Sequence, residues 1–175
     1  MRGTIDFELG LNRDTPALLL EAAQALEPVD LHLARDTHLE ALMLAMYTGA
    51  VGVRENVREA AGAALAAPRL PEAEVRPQDL LLDGFAALFT AGHEAAAPTL
   101  RRAIELLRRS DDFRWLPLAC HASVELWDDE AMFALATRWV QLARDQGALS
   151  ALPRGPDLPG RCVRGARRPL RPGRE

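Results

Sequence analysis

Apolar residues recur along this chain at helical spacing, in seven runs separated by turn-forming residues. Leu18, Leu19, Ala22 and Leu26 make the first stripe. Asp14-Thr15-Pro16 gives it a capping side chain and an early proline, and Pro28 ends it. Asp30 predicts the cap of a second helix running to about Thr48. Its stripe of Leu31, Ala34, His38, Ala41, Leu42, Ala45 and Met46 is widened by Leu39 and Met43, which suits a helix contacted on two sides. After a turn over 49–52, a third helix spans about Val53 to Ala66, with Val57, Ala60, Ala61 and Ala64 inward.

Prolines between Pro68 and Pro77 predict a linker with no helix, too short to divide the chain into two domains. The fourth helix spans about Gln78 to Ala91, with Leu81, Leu82, Phe85, Leu88 and Phe89 apolar, and Gly92 breaks it. The fifth, about Glu94 to Arg109, buries Leu100, Ala103, Ile104 and Leu107 and turns Arg101, Arg102, Glu105, Arg108 and Arg109 to water. Pro98 fits it only if the regular helix begins close by or a kink is tolerated. Ser110-Asp111-Asp112 predicts the cap of a sixth helix, about Phe113 to Trp127, whose first turns Pro117 is expected to distort. Asp128-Asp129 caps a seventh, ending near Gly147, a residue suited to a left-handed C-terminal cap. No segment alternates as a strand does.

Two stretches correspond at an offset of thirty-five residues: Leu80, Gly84, Ala96 and Leu100 match Trp115, Ala119, Ala131 and Leu135. Self-similarity at this period predicts an all-α fold of TPR-like antiparallel helix hairpins, an α-solenoid over residues 1–152. The expected architecture is a right-handed stack of about three and a half hairpins. Residues 153–175 break the pattern: five prolines fall among arginines and glycines, and disorder is the expectation.

Charge sharpens this division. The tail carries seven arginines against Asp157 and Glu175, a net +5, so the chain's −4 leaves −9 on residues 1–152. An acidic body does not suit phosphate binding. The chain has no lysine, hence no GxxxxGK[ST] phosphate loop, and no GxGxxG, HExxH or GxSxG occurs. No apolar run reaches the length of a membrane span, and two cysteines far apart, Cys120 and Cys162, give no disulfide framework. A reducing, cytoplasmic setting is the expectation.

Polar clusters are weighed against structural roles. Asp128-Asp129-Glu130 reads as a helix cap and acidic first turn, since consecutive residues diverge where a cation needs converging ligands. Cys120-His121 lacks metal-ligand spacing and points two ways around a helix, so packing is the expected role. His32 and His38, six apart, are read as surface or flank residues. Trp115, Trp127 and Trp139 recur every twelve residues and are expected in the core or between helices, with a stacking platform the competing reading. No catalytic, cofactor-binding or metal-ligating residue is assigned.

Several stretches resemble the helical-repeat middle region of the large ATP-dependent LuxR-type transcriptional regulators. They run from Ala17-Leu18-Leu19-Leu20-Glu21-Ala22-Ala23 through Leu26-Glu27-Pro28-Val29-Asp30 and Leu33-Ala34-Arg35-Asp36-Thr37 to Leu80-Leu81-Leu82-Asp83-Gly84 and Leu100-Arg101-Arg102-Ala103. Nearest to the family are Arg114-Trp115-Leu116, Leu118-Ala119-Cys120, Leu126-Trp127-Asp128-Asp129-Glu130, Leu142-Ala143-Arg144-Asp145 and Gly147-Ala148-Leu149; Arg2-Gly3 and Ile5 resemble the end of a preceding helix. The resemblance covers roughly residues 2–152 and lies in the order and spacing of these stretches. It implies a region that receives an inducer or partner between a nucleotide-binding module and a DNA-reading helix pair. Neither module is present in this sequence, so ATP hydrolysis and DNA binding carry over to no residue.

The expected function is therefore a non-enzymatic interaction or sensor region without cofactor. A protein, peptide or small inducer would sit in the concave groove made by the first helix of each hairpin. A stand-alone adaptor binding a peptide is the alternative, and a small helical enzyme using Cys120/His121 or Asp128/Asp129 the third reading. The change of composition after Leu152 is what a reading-frame shift in GC-rich DNA produces, so a fragment is expected. An uncapped seventh helix predicts self-association.

Overall fold

The structure, a computed structural model, describes residues 15–47 and 53–147, the side chains of 53–55 excepted. Among the described residues it contains seven α-helices and no strand. They are α1 (Thr15–Leu26), α2 (Leu31–Tyr47), α3 (Val53–Ala66), α4 (Pro77–Ala91), α5 (His93–Leu107), α6 (Leu116–Glu125) and α7 (Asp129–Asp145). All seven expected helices are found, and the fold is all-α. The cap assigned to Asp14, the turn over 49–52 and the tail over 153–175 lie outside the described residues.

The predicted punctuation is used. Asp30 Oδ1 accepts the Leu33 N–H at 3.0 Å, and Asp128 Oδ1 accepts the Ala131 N–H at 2.9 Å. Gly92 and Gly147 adopt left-handed φ of +92° and +66°. Three details differ from expectation. The linker holds one 3-10 turn, Glu72–Glu74, because three residues between prolines suffice for a single i to i+3 closure. α5 begins at His93, one residue before the expected start, and contains Pro98 as the expected span did. α6 begins later than expected, because Ser110 Oγ and Asp112 Oδ1 accept the N–H groups of Asp112 (3.1 Å) and Arg114 (2.9 Å) and order a loop instead. Pro117 thereby falls at the second helical position, where its missing N–H is not needed, and it does not distort the helix.

Each helix packs on its neighbours in sequence, and α1–α3, α2–α4 and α4–α6 also touch. One apolar core runs without interruption from Leu20 to Leu135. Gly84 lets two of these helices close up. A Cβ built on it would lie 2.4 Å from Leu100 Cδ2. Gly84 and Leu100 are equally distant along the chain from the Gly92 turn, so α4 and α5 run antiparallel as one hairpin. All eight residues matched at the thirty-five-residue offset are buried. No described helix is long and apolar enough to cross a membrane.

Candidate functional site

A buried ion cluster locks α2 to α4. Arg35 and Asp79 are only 2% and 1% exposed, and Arg35 Nε donates to Asp79 Oδ1 at 3.0 Å. Arg35 Nη2 donates to Asp83 Oδ1 at 2.7 Å and to the Asp79 carbonyl at 3.3 Å, while Nη1 reaches the Pro68 carbonyl at 3.4 Å. From the other side the Arg76 side chain bonds both Asp79 oxygens and Asp36, the latter at 2.8 Å. The Asp79 carboxylate also accepts the Arg76 backbone N–H at 2.9 Å, as an N-terminal cap of α4. Burial alone would raise the Asp79 carboxyl, but bonds from Arg76 and Arg35 override it and hold the group below its ordinary range. Asp36 goes the other way: its burial outweighs Arg76 and raises it. With every charge paired, this cluster is a clamp that fixes the angle between helices.

Beyond the clamp, α2, α3, α4 and α6 enclose a groove of about 450 Å³. Met46, Val57, Leu88 and Phe89 form its apolar lining, and Arg58, His121 and Glu125 its polar one. Two ties join α2 to α6 or to the loop before it. Tyr47 meets His121 edge-on, with ring centroids 5.7 Å apart, and Glu40 pairs with Arg114. The polar groups form a chain. Tyr47 Oη lies 3.4 Å from His121 Nδ1, His121 Nε2 lies 3.5 Å from Glu125 Oε1, and Glu125 Oε2 lies 3.0 Å from His93 Nε2. A proton on Nε2 leaves Nδ1 to accept from the Tyr47 hydroxyl. Burial, with Cys120 nearby, pushes Tyr47 up to about 12, so its phenol stays protonated. The groove thus sets a neutral imidazole, backed by the Tyr47 hydroxyl, beside its apolar lining.

Burial also lowers His121 below the ordinary 6.5, with Glu125 partly offsetting it. The unfolded chain then takes up this proton at higher pH than the folded one does. Stability that is complete above 6.5 declines as pH falls through the folded value. Urea midpoints should therefore drop between about pH 7 and pH 5, and His121→Gln should flatten that limb. Equal slopes in both proteins would refute the assignment.

The residues singled out by sequence fall in several places. Asp128 is a helix cap, as expected, with Asp129 and Glu130 in the first turn of α7. His121 lines the groove and Cys120 is half-buried beside it in sequence; Cys162 lies outside the described residues. His32 is a flank residue as expected, its Nε2 3.9 Å from Glu74. His38 is not: it is fully buried, because its face of α2 packs on the core, and its Nε2 bonds Glu27 Oε1 at 3.0 Å. The tryptophans separate. Trp115 is core and Trp139 packs partly buried against it, but Trp127 is 91% exposed, contrary to expectation, because the tight α6–α7 turn points it at solvent.

Arg35, Arg76, Asp79, Tyr47 and Glu125 were not singled out from sequence. A signal existed for three of them. Arg35 shares its helical phase with Leu31, Leu39 and Leu42, Asp79 shares its phase with Leu82 and Ala86, and Glu125 stands four residues after His121. Among the described residues no three His, Cys, Asp or Glu side chains are placed to hold a metal ion. No protein-family model, curated protein or solved structure matches the chain, so its site is read from its own geometry.

Proposed function

We propose that this chain is a non-enzymatic interaction or sensor region built of TPR-like helix hairpins, of the kind that forms the middle of LuxR-type regulators. The observation that carries this reading is the groove lined by the alternate helices α2, α4 and α6 together with Val57 and Arg58 of α3. Alternate helices line the inner face of a hairpin stack, where such modules hold their partners. Burial of all eight offset positions supports the repeat. The partner is a peptide, a protein segment or a small inducer, with apolar groups against Met46, Val57, Leu88 and Phe89 and polar groups at Arg58, His121 and Glu125. Direct DNA contact is not assigned to this chain, whose first 152 residues are strongly acidic. Self-association through the outer face of α7, where Phe133 is exposed and Trp139 and Val140 half-buried, is part of the same proposal.

The test is selection of binders from a displayed peptide library, followed by Met46→Trp. Met46 is only partly buried, so the larger ring fills the groove without entering the core. Selected peptides should lose at least about ten-fold in affinity, the scale of one blocked anchor pocket. Peptides indifferent to the substitution would place the binding surface elsewhere. Neighbouring genes for a phosphate-loop module and a helix-turn-helix would favour the regulator over a stand-alone peptide adaptor.

A further inference from the structure

The turn between α6 and α7 holds a residue that its backbone disfavours. Trp127 has φ +57°, the left-handed region that side chains other than glycine avoid. The Asp128 N–H bonds the Ser123 carbonyl at 2.9 Å and the Trp127 N–H bonds the Val124 carbonyl at 3.0 Å. This is the Schellman pattern of helix ends, with tryptophan at the position where glycine is usual. The indole recovers nothing by packing, since 91% of the residue faces water.

Trp127 lines a shallow groove of about 430 Å³ with Leu126, Ala97, Glu94, Glu125, His93 and Arg101. Glu125 bonds His93 at 3.0 Å, which sets the end of α6 beside the start of α5 and close to Glu94. Among the described residues Glu94 makes no ion pair, and Asp128 and Asp129 follow Trp127 directly. Arg101, the one arginine in the lining, is two turns further along α5. An exposed indole flanked by carboxylates is the chemistry that takes a guanidinium: the cation stacks on the ring and the carboxylates neutralise it.

We propose that Trp127, with Glu94 and Glu125, is a docking point for an arginine-bearing segment of a partner protein. It borders the α2–α4–α6 groove, with which it shares Glu125, and does not depend on the reading of that groove. The partner's arginine lies over the indole.

Titration of the full chain with acetyl-Gly-Arg-Gly-Arg-Gly-amide and with its glutamate counterpart, followed by tryptophan emission and calorimetry, tests this. The arginine peptide should bind, more weakly as salt rises, and the glutamate peptide should not. Trp127→Gly should cut affinity at least about five-fold and Glu94→Gln about two- to five-fold. Trp127→Gly should at the same time raise the Tm by about 2–4 °C, because glycine accepts this φ without strain. A structural role moves stability and binding down together; a docking role separates them. Unchanged affinity in Trp127→Gly, a lowered Tm, or no response to the arginine peptide would overturn the proposal. If that silence came with Trp127 already shielded from acrylamide quenching in the free protein, the occupant would be the chain itself rather than a partner.

Discussion

Asp79→Ala should lower the unfolding free energy by about 3–5 kcal/mol, the range seen when one member of a buried ion pair is removed. The damage lies in what remains. Arg35 is 2% exposed and would keep Asp83 and two carbonyls, but it would lose its Nε partner. Arg76 would lose its bonds to both carboxylate oxygens, and its backbone N–H would lose its cap. Because Asp83 still neutralises Arg35, the lower half of the range is expected. Removing both charges as Arg35→Met with Asp79→Leu should recover much of the loss, since a packed apolar pair makes no desolvation demand. Urea unfolding of the unsubstituted protein, Asp79→Leu, Arg35→Met and the double variant closes the cycle. A loss below about 1 kcal/mol for Asp79→Ala would mean that the clamp is open in solution. The pH dependence has a definite sign. Asp79 is held below its ordinary value of 3.8, so its contribution is complete above that pH and is lost as pH falls through the folded value. Asp36, raised by burial, acts in the opposite sense, favouring the fold at low pH and losing that contribution as pH rises through its folded value.

The clamp also shows where sequence reading stopped. Helix positions were legible because they depend on local signals: the Asp30 and Asp128 caps, the breaks at Gly92 and Gly147, and stripes at 3.6-residue spacing. Arg35 carries the same phase as Leu31 and Leu39, but a charge on an apolar face is ordinarily a face that meets water. What reverses that here is a partner forty-four residues away, and no local pattern specifies such a pairing. His38 departs from expectation for the same reason: spacing places it in the stripe, a histidine is expected at the surface, and Glu27 across the α1–α2 turn is what allows it inside. Trp127 is the converse. Size and hydrophobicity argue for burial, and only the backbone of the three-residue turn between α6 and α7 exposes it. The groove needed Met46, Leu88 and His121 brought together from three helices, which spacing alone cannot deliver.

Gly84 offers the sharpest test of how far the thirty-five-residue correspondence extends. Its counterpart is Ala119, and Leu100 corresponds to Leu135. Two superimposable hairpins would accept alanine at both places. The α4–α5 hairpin is closer than that: a Cβ on Gly84 meets Leu100 Cδ2 at 2.4 Å and Cγ at 2.7 Å, and Leu100 is fully buried with nowhere to turn. Gly84→Ala gains about 1 kcal/mol of helix propensity but must push the helices apart, so a net loss of about 1–2 kcal/mol is expected. Gly84→Leu should lose about 3 kcal/mol or more, since no rotamer shift of Leu100 makes room for four carbons. Leu100→Ala alone should lose about 2–5 kcal/mol by leaving a cavity. Combined with Gly84→Ala it should lose less than the sum, because the new methyl occupies part of the void. Additive effects would show that the two positions do not touch. A neutral Gly84→Ala would show instead that the first hairpin has the looser spacing of the second, and the two units would then be equivalent in packing as well as in pattern.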